Sequence, residues 1–228
     1  MNNTDIEKLL SAKVLKSKLY IDSLTHRSAS HINNERLEFF GDAVLGFFIA
    51  EYLYINFPND DEGTLSRKRS YLVRKDTLSE IAKFYNLGNK IILGEGEKKS
   101  GGRKSTSIIS DALEALIAVV YITDGPGVVR DFIYTVFDCY IKSLPSDDEL
   151  KDSKTKLQEL LQSYNCELPE YDTIETSQNN KINFKTFCKI NAHDICENGF
   201  GSNKRKSQQE AAQKAYIKIK NIYNKKDA

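Results

Sequence analysis

The segment Ile108-Ile109-Ser110-Asp111-Ala112-Leu113-Glu114-Ala115-Leu116-Ile117-Ala118-Val119-Val120-Tyr121 constrains this chain more than any other. It is apolar almost all round except for Asp111 and Glu114, and a helix with that pattern is buried. An unpaired ionised carboxylate in a core is very costly, so these two acids must find hydrogen-bonded cations, take up protons or ligate a metal. The fold must therefore wrap this helix and also supply the compensation. With 228 residues and 40% hydrophobic content the chain can bury a core of that kind, as one large domain or two smaller ones.

A second segment repeats the problem. In Asn34-Glu35-Arg36-Leu37-Glu38-Phe39-Phe40-Gly41-Asp42-Ala43-Val44-Leu45-Gly46, the acids Glu35, Glu38 and Asp42 stand at i, i+3 and i+7, one face of a 3.6-residue helix. Their neighbours Leu37, Phe39, Phe40, Val44 and Leu45 should pull the segment into the core, and like charges so spaced repel. Either Arg36, Arg67, Arg69 or Arg74 neutralises the acids in an architectural network, or the two helices face each other across a metal site. Oxygen-only ligation favours Mg²⁺ or Mn²⁺ over zinc or copper. A di-iron bundle needs Glu-x-x-His on its helices, and none of His26, His31 and His193 lies three residues after a glutamate. Mg²⁺ held by carboxylates is typical of phosphate-ester chemistry.

The pattern of the chain changes along its length. Up to about residue 144 it reads as successive helices, with turn signals at 57–63, 86–88 and 124–127. The polar, acidic, proline-led stretch 145–152 has the composition of a linker. Beyond it Leu157, Leu160, Leu161 and Tyr164 fall at helical spacing, strand-like runs follow at 171–176 and 184–190 with a third around 194–197, and Ala211, Ala212, Ala215, Tyr216 and Ile219 return to helical spacing. The expected order is α-β-β-β-α. The division is 1–146 for the helical domain, 147–153 for the linker, 154–223 for the small α+β domain and 224–228 for a basic tail.

Charge is distributed unevenly. The formal net charge is only +1, yet residues 199–228 carry eight basic side chains against two acidic ones. The run Lys204-Arg205-Lys206 stands at a helix start, where free amides and the positive dipole end make added cations repulsive unless a phosphate arrives. A solvated helix start is the alternative. Cys139, Cys166, Cys188 and Cys196 have no C-x-x-C spacing, so buried free thiols are expected rather than a zinc or redox motif. No stretch reaches the roughly 18 apolar residues of a membrane span, and the first residues lack a signal-peptide pattern, so a soluble cytoplasmic protein is expected. The glycine-rich 94–105 lacks G-x-x-x-x-G-K-[ST], which argues against a nucleotide cofactor. A mobile basic loop or an ordinary solvated one remains.

Asn34-Glu35-Arg36-Leu37-Glu38-Phe39-Phe40-Gly41-Asp42 resembles the signature of bacterial ribonuclease III, and Leu24-Thr25-His26-Arg27-Ser28 before it is similar too. Asp61-Glu62-Gly63-Thr64-Leu65-Ser66-Arg67 and Asp111-Ala112-Leu113-Glu114-Ala115-Leu116-Ile117 match further motifs of that family in the same order. The resemblance implies an all-α endonuclease domain acting as a homodimer. In it Glu38, Asp111 and Glu114 would ligate Mg²⁺, with Mn²⁺ a possible substitute. Asp42 and Glu114 would be the catalytic acids, and Glu35 and Glu62 would lie nearer the RNA or the outer metal shell. Phe39 matches an aromatic that packs into the partner subunit; a core position in its own monomer is the alternative.

The second domain resembles the double-stranded-RNA-binding domain. That resemblance implies that Gln158 and Glu159 touch the minor groove and that Lys204, Arg205 and Lys206 clamp phosphates, reading A-form shape rather than sequence. The family's Gly-Pro and histidine loop is replaced by Ser177-Gln178-Asn179-Asn180-Lys181-Ile182-Asn183-Phe184, with Asn180 standing in for the histidine. The implied activity is hydrolysis of double-stranded RNA to 5′-phosphate and 3′-hydroxyl ends, in the processing of precursor rRNA and other structured RNA. A catalytically silent RNA binder would have lost one of Glu38, Asp42, Asp111 and Glu114, all of which are present. A protein-interaction module built on a helical dimer leaves the buried acid pairs unexplained.

Overall fold

A computed structural model describes residues 5–178 and 181–224. The chain forms two compact units, Met1–Pro145 and Ser146–Ala228. In the first, the helices are α1 (Ala12–Lys16), α2 (Lys18–Leu24), α3 (Glu35–Asn56), α4 (Glu62–Val73), α5 (Lys75–Phe84), α6 (Glu95–Lys99), α7 (Thr106–Asp124) and α8 (Pro126–Lys142). Helix α7 is the axis of the core, because its apolar side chains leave no face for water: every residue from Ile108 to Val120 is buried except Asp111, which is half-buried. Helices α1, α2, α3, α5 and α8 pack around it. By length and composition α7 could cross a membrane, with a mean hydropathy of 1.6, but most of it, from Ile108 to Val120, is buried against these neighbours. On α3 the buried residues Leu45, Ile49 and Leu53 repeat every four positions and seat that helix on α7.

The second unit comprises α9 (Asp147–Leu150), α10 (Ser153–Ser163), β1 (Glu170–Gln178), β2 (Lys181–Ile190), β3 (Ile195–Gly201) and α11 (Lys204–Asn224). Helix α9, within the stretch expected to be a linker, is one turn closed by a capping box between Ser146 and Glu149. The strands form an antiparallel sheet in the order β1-β2-β3, with Thr173 opposite Thr186 and Phe184 opposite Gly201. On β2, Thr186, Cys188 and Ile190 alternate onto a buried face. Cys188 and Ile190 join the core formed with Leu157 and Leu161 of α10 and Ala211, Ala212, Ala215 and Ile219 of α11.

Two expectations differ from the structure. The run 177–184 is not a long loop: β1 and β2 stay paired out to Gln178 opposite Lys181, with Asn180 outside the described residues. Gly199 and Gly201 are part of β3. A Cβ on Gly199 would lie 2.3 Å from the Ser207 carbonyl oxygen, so the strand needs glycine to lie against α11. The cysteines are free but not all buried: Cys188 is, Cys166 is half-buried, and Cys139 and Cys196 are exposed. The fold also brings His193 Nε2 to 3.7 Å from Cys166 Sγ, a contact that spacing along the chain does not reveal.

Candidate functional site

The contact between α3 and α7 creates the site. A Cβ on Gly41 would lie 1.8 Å from the Glu114 carbonyl oxygen, so the missing side chain lets the two backbones touch where both helices carry their acids. One carboxylate oxygen each from Glu38, Asp111 and Glu114 lies within 4.8 Å of the others. Glu38 and Asp111 are half-buried and Glu114 is 6% exposed. This all-oxygen donor set suits a hard divalent cation, and three carboxylates so close are costly without one. The three residues can hold a metal.

The electrostatics express that cost. Burial, then the charges of Asp42, Asp111 and Glu38, push Glu114 up to about 8, with Lys75 opposing. Burial and the charge of Asp111 raise Glu38, again against Lys75. Asp42 is exposed and contributes by field. Glu35 is exposed and meets Arg27 Nη1 at 3.3 Å. Glu62 accepts from Ser66 Oγ at 2.7 Å and lines a separate pocket with Ala50, Leu53, Tyr54 and Arg69. Within this chain the structure brings Glu38, Asp111 and Glu114 together, with Asp42 near enough to act on Glu38 and Glu114 by its charge, and Glu62 lines a separate pocket.

Among the described residues Lys75 is a cation that meets the cluster, and sequence reasoning named four arginines instead. Its Nζ donates to Asp111 Oδ1 at 2.9 Å and to Ser107 Oγ at 3.2 Å. Arg74, its neighbour, instead stacks on Tyr71 and donates to Thr77. No local signal marks Lys75, which lies 36 positions before Asp111. Ser107 stands one turn before Asp111 and could have been found by helical spacing. The glycine-rich segment forms α6 and a further turn at Gly102–Lys104, and it places Glu97 in a cleft of about 490 Å³ lined also by His26, Arg27, Ser28, Asn34, Glu35, Glu38, Ser107, Ile108 and Asp111. Asn34 is buried, and among the described residues its Nδ2 has no partner.

Phe39 is 81% exposed, which excludes the core reading. Phe47 and Tyr54, also strongly exposed, continue the same face of α3.

In the second unit, Gln158 and Glu159 are exposed on α10, and Glu159 Oε2 accepts from Lys151 Nζ at 2.6 Å. Lys204, Arg205 and Lys206 are exposed in the first turn of α11, which carries no acidic residue. Among the described residues none of the three forms an ion pair. Asn203 Oδ1 accepts from the Lys206 amide at 2.8 Å. Thr173, Thr186 and Ser207 link their hydroxyls in steps of 2.8 Å, which pins the α11 start to β1 and β2. Among the described residues these three cations stand at the start of α11, which the hydroxyl chain ties to the sheet, and form no ion pair.

Residues 16–139 match the family model described as ribonuclease-III-like, and residues 153–219 match the double-stranded RNA binding motif. The ribonuclease 3 of Buchnera aphidicola from Acyrthosiphon pisum is 43% identical over 216 residues, covering 94% of this chain and 95% of that protein. That of Methylococcus capsulatus is 46% identical over 194 residues, 84% of each. The solved nuclease domain of ribonuclease III from Campylobacter jejuni aligns with a TM-score of 0.55 at 38% identity, over 62% of this chain and all of that one. A helical domain with clustered carboxylates, followed by a double-stranded-RNA-binding fold, defines a nuclease class. The chain belongs to the ribonuclease III family and is a double-strand-specific endoribonuclease.

Proposed function

We propose that Glu38, Asp111 and Glu114 hold Mg²⁺, replaceable by Mn²⁺, and that Asp42 and Glu114 are the catalytic acids. The observation that carries this reading is the meeting of three carboxylates from two helices, one of them buried. A divalent ion bound there supplies an activated nucleophile and charge neutralisation at the scissile phosphate. Asp42, solvent-facing one turn beyond Glu38, orients the attacking water. Glu35 and Glu62 act farther out, toward the RNA. Water adds to phosphorus as the bond to the ribose 3′-oxygen breaks, which leaves 5′-phosphate and 3′-hydroxyl ends.

The substrate is precursor rRNA and other structured RNA in the cytoplasm. Residues 1–146 cut, 147–153 link, 154–223 hold the duplex, and 224–228 add a basic tail. Lys204, Arg205 and Lys206 bind phosphates, while Gln158, Glu159 and Asn180 face the minor groove; asparagine can hydrogen-bond there as histidine does. Incubation of purified protein with an end-labelled duplex tests the reading: cleavage needs Mg²⁺, and cyclic 2′,3′-phosphate ends would sink the mechanism. In the same assay, changing Lys204, Arg205 and Lys206 together to alanine weakens binding of any duplex. The salt slope of log K flattens by about 0.9 for each phosphate left without its cation, on the B-DNA scale. Cleavage by that variant persists at low salt with abundant RNA. An unchanged slope would make the three cations a solvated helix start.

The active form is a homodimer in which Phe39 packs into the partner. Its exposure, together with that of Phe47 and Tyr54, gives α3 an apolar stripe that a monomer would leave in water. The similar Campylobacter jejuni nuclease domain has a region involved in dimer formation. Phe39→Asp yields monomers in sedimentation; a variant that stays dimeric would assign the interface elsewhere.

A further inference from the structure

Lys75 occupies the place where the metal reading needs a free carboxylate. Its ammonium is 2.9 Å from Asp111 Oδ1 and 3.2 Å from Ser107 Oγ, and Ser107 Oγ donates to Asp111 Oδ2 at 3.2 Å. Both oxygens of Asp111 are thereby engaged by a cation and a hydroxyl that the cation itself holds. The charge of Lys75 also acts on Glu38 and Glu114, so one side chain addresses all three clustered acids.

A divalent ion among Glu38, Asp111 and Glu114 would share Asp111 with this ammonium. Two cations on one carboxylate repel, and even at the screening of water a unit charge several Å from a divalent ion weakens binding about ten-fold. One of them must withdraw. The Lys75 side chain is 57% exposed against 19% for Asp111, and it rides on a flexible four-carbon stem, so it is the group free to leave. We infer that Lys75 is the resident counter-ion of the metal-free site: it holds the carboxylates together and competes with the metal for Asp111, thereby setting metal affinity. The inference rests on the metal-site reading above. It assigns Lys75 as a positioning residue that opposes the metal, the reverse of one that prepares Asp111 to receive it.

Direct titration of Mn²⁺ into chelator-treated full-length protein, followed by the spin-resonance signal of free Mn²⁺, separates the two levels. Failure of the parent protein to bind Mn²⁺ would remove the metal site itself. With binding established, Lys75→Met binds Mn²⁺ about five-fold to fifty-fold more tightly. Its thermal midpoint in EDTA falls, so the interval between the EDTA and Mn²⁺ midpoints widens. Lys75→Arg, which keeps the charge, stays near the parent. Ser107→Ala, which retains every charge and only loosens the hold on Lys75, shifts affinity in the same direction by less and serves if Lys75→Met folds poorly. Unchanged or weaker Mn²⁺ binding in Lys75→Met, or in Ser107→Ala where that variant has to stand in for it, overturns the inference.

Discussion

Replacing Glu114 by glutamine lowers cleavage by a factor on the order of 10³ or more and leaves duplex binding unchanged. The amide keeps the shape of the side chain, while the negative charge that a divalent ion needs is gone. Glu114 is the most buried member of the cluster, and its proton affinity is raised by burial first and by three neighbouring carboxylates after that. The same shift fixes the direction of the stability change. A carboxyl held near 8 in the folded protein titrates near the ordinary glutamate value when unfolded, so between those values the folded state carries the extra proton. In EDTA the parent therefore loses stability as pH rises from about 5 to about 8, by about 3–4 kcal/mol. The glutamine variant loses this contribution and keeps only that of Glu38, which burial and the charge of Asp111 still raise. Thermal midpoints at acidic, neutral and alkaline pH should therefore spread less for the variant than for the parent, with Mg²⁺ restoring the parent at high pH. A variant that melts below the parent in EDTA at pH 8 would mean that Glu114 anchors a structural ion pair.

The parts of this site that could be read from the chain are those within one helix. Glu35, Glu38 and Asp42 share a face by spacing alone, and Asp111 and Glu114 announce themselves by interrupting an apolar run. The fold puts Glu38, Asp111 and Glu114 together because those helices cross. The compensating cation was predictable as a need but not as a residue: Lys75 opens a different helix, and four nearby arginines looked equally able. Glu97 was hidden for the same reason, inside a segment whose glycines suggested a loop. Hydrophobicity misled at Phe39, because an apolar side chain on a helix otherwise bound for the core reads the same whether its own core or another surface will cover it. In the second unit the change of period from helix to strand was legible. The length of the β1–β2 pairing was not, since Ser177 and Gln178 carry no apolar alternation to mark a strand.

Gly41→Ala should be among the most damaging single substitutions in the chain, although in a helix interior the exchange would ordinarily stabilise. Alanine is favoured over glycine there by about 1 kcal/mol. Against that stands a Cβ placed 1.8 Å from the Glu114 carbonyl oxygen and 2.5 Å from its carbon, both backbone atoms with no rotamer to yield. Overpacking of ordinary severity costs about 1–3 kcal/mol, and a collision between two backbones belongs at or beyond the upper end. The clash wins, with a net loss on the order of 2 kcal/mol and a thermal midpoint lower by several degrees. Relief requires α3 and α7 to part, and that movement carries Glu38 and Asp42 away from Asp111 and Glu114. A displacement of about 1 Å at a reacting centre costs on the order of 10² in rate, so activity falls even at temperatures where the variant stays folded, and Mn²⁺ binding weakens with it. Gly127→Ala, where a Cβ meets only open space in the first turn of α8, supplies the control and should melt at or slightly above the parent. If Gly41→Ala instead melts with that control and binds Mn²⁺ as the parent does, the approach of the two acid-bearing helices is set by something other than the missing side chain.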